Sequence, residues 1–257
     1  WRIRMKTTIL ISTQRSGTTF FDRKISGMYG FSSQGGEFLN KQNFERHNSS
    51  HLLKAYSECS PSIRGQKNIK TLWVDSGYFV KMNKGLLPKI VSNSDRPIFN
   101  IQYNFIDDNV KYLENVNTPI IHLIRQDSWR RAISEHIMKN NSFPPHVTNI
   151  TNQNPKTVSI NKDKLIKEAS KKFDHVLYFQ DKLKDKSNVM TLYYEDISRK
   201  EYWTDDFIEK LESFMGQKFT NKEYQPPHMK ASKFITITNE AEVLREEYTK
   251  KYYINKI

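Results

Sequence analysis

Five consecutive residues near the amino terminus, Arg15-Ser16-Gly17-Thr18-Thr19, have the make-up of an anion-binding turn. Gly17 lets a backbone approach a ligand closely, Ser16, Thr18 and Thr19 add hydroxyl donors, and Arg15 adds a fixed positive fork. The run before it, Thr7 to Thr13, is β-branched or aliphatic apart from Ser12 and holds no breaker, so it reads as a buried strand. After it, Phe20, Phe21, Ile25 and Met28 recur at helical spacing. Strand, short turn and helix together aim backbone N–H groups and a helix N-terminus at an anion. The turn is not GxxxxGK[ST], because one glycine and no lysine stand between Lys6 and Lys24. The groups that handle the outer phosphates and magnesium of ATP are therefore missing, which speaks against ATP.

A second pair is Arg125 and Ser134. Thr118 to Ile124 is apolar apart from Thr118 and His122 and reads as a central strand of a parallel sheet, so Arg125 falls at its ligand-binding edge. Ser134 follows nine residues later, in a helix over 128–139 that Asp127 caps. A phosphate above that edge would take a charge-assisted fork from Arg125 and a hydroxyl bond from Ser134. Arg130 and Arg131 are expected on the outer side of the helix. A third feature is Glu37, in Gly36-Glu37-Phe38-Leu39-Asn40. An acid beside apolar neighbours can have its pKa raised and serve as a general base. Asp75, Asp107 and Asp108 are alternative bases.

The elements that must position these groups alternate between strand and helix. Further strands are expected at 97–103 and 189–193. Further helices are expected at about 42–58, 75–92, 105–115, 161–182, 203–215 and 239–253, with Arg130 and Arg131 in the one at 128–139. The helix at 161–182 carries Leu165, Ile166, Ala169, Phe173, Val176 and Leu177 on one face. This order predicts a three-layer α/β fold with a mainly parallel central sheet flanked by helices. No internal repeat or linker divides the 257 residues, so a single domain is expected.

Composition narrows the class. A 37% apolar and 12% aromatic share supports a sizeable core. One cysteine, Cys59, excludes an internal disulfide framework and fits a reducing, cytoplasmic setting. No run approaches the ~20 apolar residues of a membrane span. Met5 reads as the natural start, with residues 1–4 an added remnant, which leaves no room for a signal peptide. The net charge of +13 attracts polyanions. The lysines are scattered, however, and neither an aromatic-basic RNA-binding signature nor zinc-finger spacing appears, so a charged nucleotide or acidic substrate is preferred to nucleic acid.

The order Arg15-Ser16-Gly17-Thr18-Thr19 after a first strand resembles the 5′-phosphosulfate loop of sulfotransferases that use 3′-phosphoadenosine 5′-phosphosulfate (PAPS). Leu123-Ile124-Arg125 through Ser134 resembles the 3′-phosphate site of the same family, with the Arg-to-Ser spacing of its bacterial carbohydrate branch. Gly36–Asn40 is similar to a segment of those bacterial enzymes whose glutamate is the proposed base. The histidine that the animal cytosolic enzymes place after their second strand is absent from Asn100–Asn104, which favours Glu37.

The resemblance implies a P-loop-like sulfotransferase fold, PAPS as donor and 3′-phosphoadenosine 5′-phosphate (PAP) as product, and no metal requirement. It also implies that Tyr194, in Leu192-Tyr193-Tyr194-Glu195-Asp196, lies near the adenine. Lys230 and Lys233 would belong to a basic loop over the cofactor. Residues 41–96 and 140–185 match nothing in the family and are expected to hold the acceptor site. The acceptor is then a carbohydrate or small natural product, through a hydroxyl or an amine, and the oligomeric state stays open. A nucleotide kinase of P-loop type and a non-catalytic basic module for polyanions are the alternatives.

Overall fold

The structure, a computed structural model, describes residues 6–13, 15–31, 91, 97–103, 113, 116–140 and 162–226. Four strands form one sheet: β1 (Thr8–Ser12), β2 (Ile98–Gln102), β3 (Ile120–Ile124) and β4 (Val189–Tyr193). The helices are α1 (Thr18–Met28), α2 (Ser128–Asn140), α3 (Lys162–Leu183), the single turn α4 (Tyr194–Ile197) and α5 (Asp205–Met215), with a short 3₁₀ turn at Lys200–Tyr202. The sheet order is β2-β1-β3-β4 and every pairing is parallel. β1 thus has its two sequence successors on opposite sides, and the strand order reverses around it. In open α/β sheets, the crevice outside the carboxyl ends of strands at such a reversal is where ligands bind.

Every residue of β1, β2 and β3 is buried, as a sheet covered on both faces requires. On one face, Leu10, Ile121, Leu123 and Leu192 pack with Phe21, Ile25 and Met28 of α1 and with Ile208, Leu211 and Met215 of α5. The other face meets α2 and α3: Arg131 of α2 bonds Thr13, and Phe179 of α3 stacks on Tyr103 with ring centroids 4.0 Å apart. This is the three-layer arrangement the alternating elements predict. In α3 the buried stripe is Leu165, Ala169, Phe173, Val176, Phe179 and Leu183, while Ile166 and Leu177 are only half-buried at its flanks.

Local chemistry sets the helix ends. The Asp127 carboxylate accepts from the Arg130 N–H at 2.8 Å, so Asp127 caps α2 as its position predicts. α5 begins at Asp205 rather than at 203, because Thr204 is the cap and accepts from the Phe207 N–H at 3.3 Å. Asp205 and Asp206 add negative charge to that first turn. Tyr194 does not extend β4 but opens α4 directly, with no loop between them.

The expected helices at 42–58 and 239–253, and all but single residues of those at 75–92 and 105–115, lie outside the described residues. So do most of the expected acceptor segments 41–96 and 140–185, apart from residues 91, 140 and 162–185. Among the described residues, no helix is long and apolar enough to cross a membrane.

Candidate active site

β1 delivers its chain end to the carboxyl edge of the sheet, and the turn that follows bends in an unusual way. Arg15 has φ 63°, a left-handed conformation that side-chain-bearing residues seldom adopt, and Gly17 has φ 83°. Such strain persists where the surroundings over-determine it. Arg15 is held at both ends: its Nε donates to Ser134 Oγ at 3.0 Å, and its carbonyl accepts from Arg125 Nη1 at 3.1 Å. The turn after β1 is thereby tied to the end of β3 and to α2.

Gly17 is required twice over, by its φ and by its neighbour. A Cβ there would lie 2.1 Å from Tyr194 Cδ2 and 2.4 Å from Cε2, so this edge of the tyrosine ring lies against the glycine. The Arg125 guanidinium lies 4.9 Å from the centroid of the same ring, within cation–π range. Glu195, next in sequence, accepts from the N–H groups of Gln126 and Asp127, each at 3.2 Å. α4 is thus clamped onto the segment that follows β3.

Within α1 the first N–H to find a helical acceptor is that of Phe21, which donates to Gly17 O at 3.0 Å. The preceding N–H groups at a helix start have no acceptor of their own helix and carry partial positive charge. They sit beside two arginines, Arg15 and Arg125. Thr18 is buried and Thr19 half-buried in this first turn. Ser16 is wholly buried, and its hydroxyl pairs with Thr13 Oγ1 at 2.8 Å, so it is turned inward. The Ser16 hydroxyl is therefore not the outward-facing donor that the sequence suggests.

Beneath the turn lies a polar layer that sequence reasoning missed. Arg131 was expected on the outside of α2; instead it has no exposed surface, and its Nη1 donates to Thr13 Oγ1 at 2.7 Å. Arg130 is on the outside as expected. The reason is geometric, because Arg131 is three residues before Ser134 and so shares the helix face that meets the turn. That spacing is the signal that would have found it. Deeper still, the Tyr103 hydroxyl bonds His122 Nε2. Burial lowers the His122 pKa to about 4, so this imidazole is neutral near pH 7.

The structure therefore brings Arg15, Ser16, Gly17, Thr18, Thr19, Arg125, Ser134 and Tyr194 to one edge of the sheet. Glu37, Lys230 and Lys233 lie outside the described residues, as do Asp75, Asp107 and Asp108. Among the described residues, no three His, Cys, Asp or Glu side chains gather as a metal site.

Residues 6–251 match the family model of the sulfotransferase domain. The chain belongs to the sulfotransferase family. A solved structure similar to this sulfotransferase is the sulfotransferase domain from the curacin biosynthetic pathway. It is 17% identical over 98% of this chain and 92% of its own, with a TM-score of 0.47. No curated protein matches the chain significantly. The site described above therefore lies inside the matched sulfotransferase domain, from the turn after β1 through α4.

Proposed function

We propose that this sulfotransferase takes the sulfuryl group of PAPS and transfers it to a hydroxyl or amine of a carbohydrate or small natural product, releasing PAP. The observation that carries the reading is the convergence of Arg15, Gly17, Arg125, Ser134 and Tyr194 at the switch point of the sheet. Two arginines, a hydroxyl, a set of helix-start N–H groups and an aromatic ring suit a ligand with two anionic ends and a purine. Gly17, where a Cβ would meet the Tyr194 ring, lets the turn and that ring lie in direct contact.

In this reading PAPS, when bound, supplies an activated sulfuryl group whose leaving group is the 5′-phosphate. Arg15 and the N–H groups of Ser16–Thr19 hold that phosphate and stabilise charge on its departing oxygen. Arg125 and Ser134 hold the 3′-phosphate, and Tyr194 packs by the adenine. Arg15 stands between the two ends, since its backbone belongs to the turn and its side chain reaches Ser134. Lys230 and Lys233 cover the nucleotide. Glu37 takes the proton of the acceptor as its oxygen or nitrogen bonds to sulfur. Positioning and electrostatics then supply most of the rate, without a metal. The chain forms one domain, works in the cytoplasm, and recognises its acceptor through residues 41–96 and 140–185.

The test is transfer itself. With PAPS as donor and pooled hydroxyl and amine acceptors, PAP and sulfated product should appear in equal amounts without added magnesium. Glu37→Gln should lower kcat by about 10²-fold or more, the worth of a general base. Transfer of the γ-phosphate of ATP, with PAPS left intact, would overturn the reading in favour of a kinase.

A further inference from the structure

Arg131 of α2 is wholly buried beneath the turn after β1. A guanidinium removed from water is costly unless it is hydrogen-bonded, and its neighbours on the helix, Trp129, Ala132 and Ile133, are the apolar residues expected on an inner face. What Arg131 reaches is informative: Nη1 donates to Thr13 Oγ1 at 2.7 Å, and Thr13 Oγ1 pairs with Ser16 Oγ at 2.8 Å. The three groups form a line from α2, under the end of β1, into the turn. Thr13 Oγ1 is thus bonded on both sides, to the guanidinium and to Ser16 Oγ, and bonds in such a chain strengthen one another. The Arg131 charge is also felt by Tyr103, opposing the upward push of burial on that phenol.

We infer that Arg131 is a positioning residue for the 5′-phosphate end of the site, holding the turn after β1 in its anion-binding shape through Thr13 and Ser16. This rests on the PAPS reading above and deepens it. Ser134, three residues on, grips the same turn through Arg15, so one helix face braces the turn at two points, one on each side of Gln14. Thr13 and Ser16 fix the curvature from within, and Arg15 and Arg125 fix it from the rim. Arg131 touches no ligand itself; it keeps the N–H groups of residues 16–19 aimed at one point and adds a positive charge beneath them.

The experiment uses two ligands that differ only at the 5′ end, PAP and adenosine 3′-monophosphate, titrated calorimetrically into the full chain. Thr13→Val keeps the shape and the β-branch but removes the hydroxyl link. It should weaken PAP by about tenfold, the loss expected for one charge-assisted link, and leave adenosine 3′-monophosphate unchanged. Arg131→Met should do the same or more, and Arg131→Lys should recover part of the loss. Equal weakening of both ligands would mean that the arginine only props the fold, and would overturn the inference. So would unchanged PAP affinity in Thr13→Val and Arg131→Met. A wild-type chain that does not prefer PAP would instead reject the donor assignment, and the inference with it.

Discussion

Replacing Gly17 with alanine tests the geometry of the site without any assumption about its ligand. Two penalties add. At φ 83° an L-residue carries left-handed strain of about 1–2 kcal/mol. The new Cβ would also meet the Tyr194 ring at 2.1 and 2.4 Å, so the ring must retreat by more than an ångström. Overpacking of this kind costs roughly 1–3 kcal/mol. The total is about 2–5 kcal/mol, which for a chain of this size lowers Tm by roughly 4–20 °C. Thermal and urea unfolding of wild type, Gly17→Ala, Tyr194→Ala and the double variant would measure both parts. The double variant should keep the strain and lose the clash, giving a favourable coupling of about 1–3 kcal/mol. Additive effects, or a Gly17→Ala chain within about 0.5 kcal/mol of wild type, would refute the packing of Tyr194 on Gly17.

Three further outcomes are expected. His122 has its folded pKa depressed to about 4 from 6.5, so the unfolded chain binds the extra proton between those values, and stability is full above pH 6.5 and falls as pH drops through 4. The loss should reach about 3 kcal/mol, and the slope of unfolding free energy against pH should flatten over that window in His122→Gln. Gly27→Ala would place a Cβ 2.1 Å from the Tyr224 ring, which rests on α1 where Lys24 Nζ also donates to the Tyr224 carbonyl. Limited proteolysis should therefore cut after α5 faster in that variant than in wild type. Arg125→Ala removes both the bond to the Arg15 carbonyl and the stack on Tyr194. It should weaken PAP by about 10–100-fold in a titration, whereas unchanged affinity would reject the 3′-phosphate assignment.

The sheet was legible because its strands are short apolar runs bounded by chemistry: TILIS before the Arg-Ser-Gly turn, IIHLI before Arg125, VMTLY before Tyr-Glu-Asp. β1 and β3, buried on both faces, have no alternation to misread. The gathering of Arg15, Arg125, Ser134 and Tyr194 was legible for a related reason, since parallel strands end on one edge and residues just past those ends must meet there. What the sequence hid was depth. Arg131 is buried although arginine seldom is, because its i,i+3 relation to Ser134 puts it on the helix face that meets the turn. The pairing of Thr13 with Ser16, and the clamp of Glu195 on residues 126 and 127, depend on distances between segments far apart in the chain, which no local pattern reports. The boundary of α5 shifted for a smaller reason: Thr204 outcompetes the aromatic Trp203 as a start because its hydroxyl satisfies an orphan N–H.

In the proposed function the turn after β1 and the segment after β3 bind one nucleotide with phosphates at both its 3′ and 5′ positions. The most direct measurement is a thermal-shift comparison of PAP, AMP and ATP without magnesium. A ligand at 100 times its Kd adds about 2.7 kcal/mol, a rise of several degrees for this chain. PAP should stabilise the protein well beyond AMP and ATP. An ATP shift equal to that of PAP, or no PAP shift at all, would contradict that assignment.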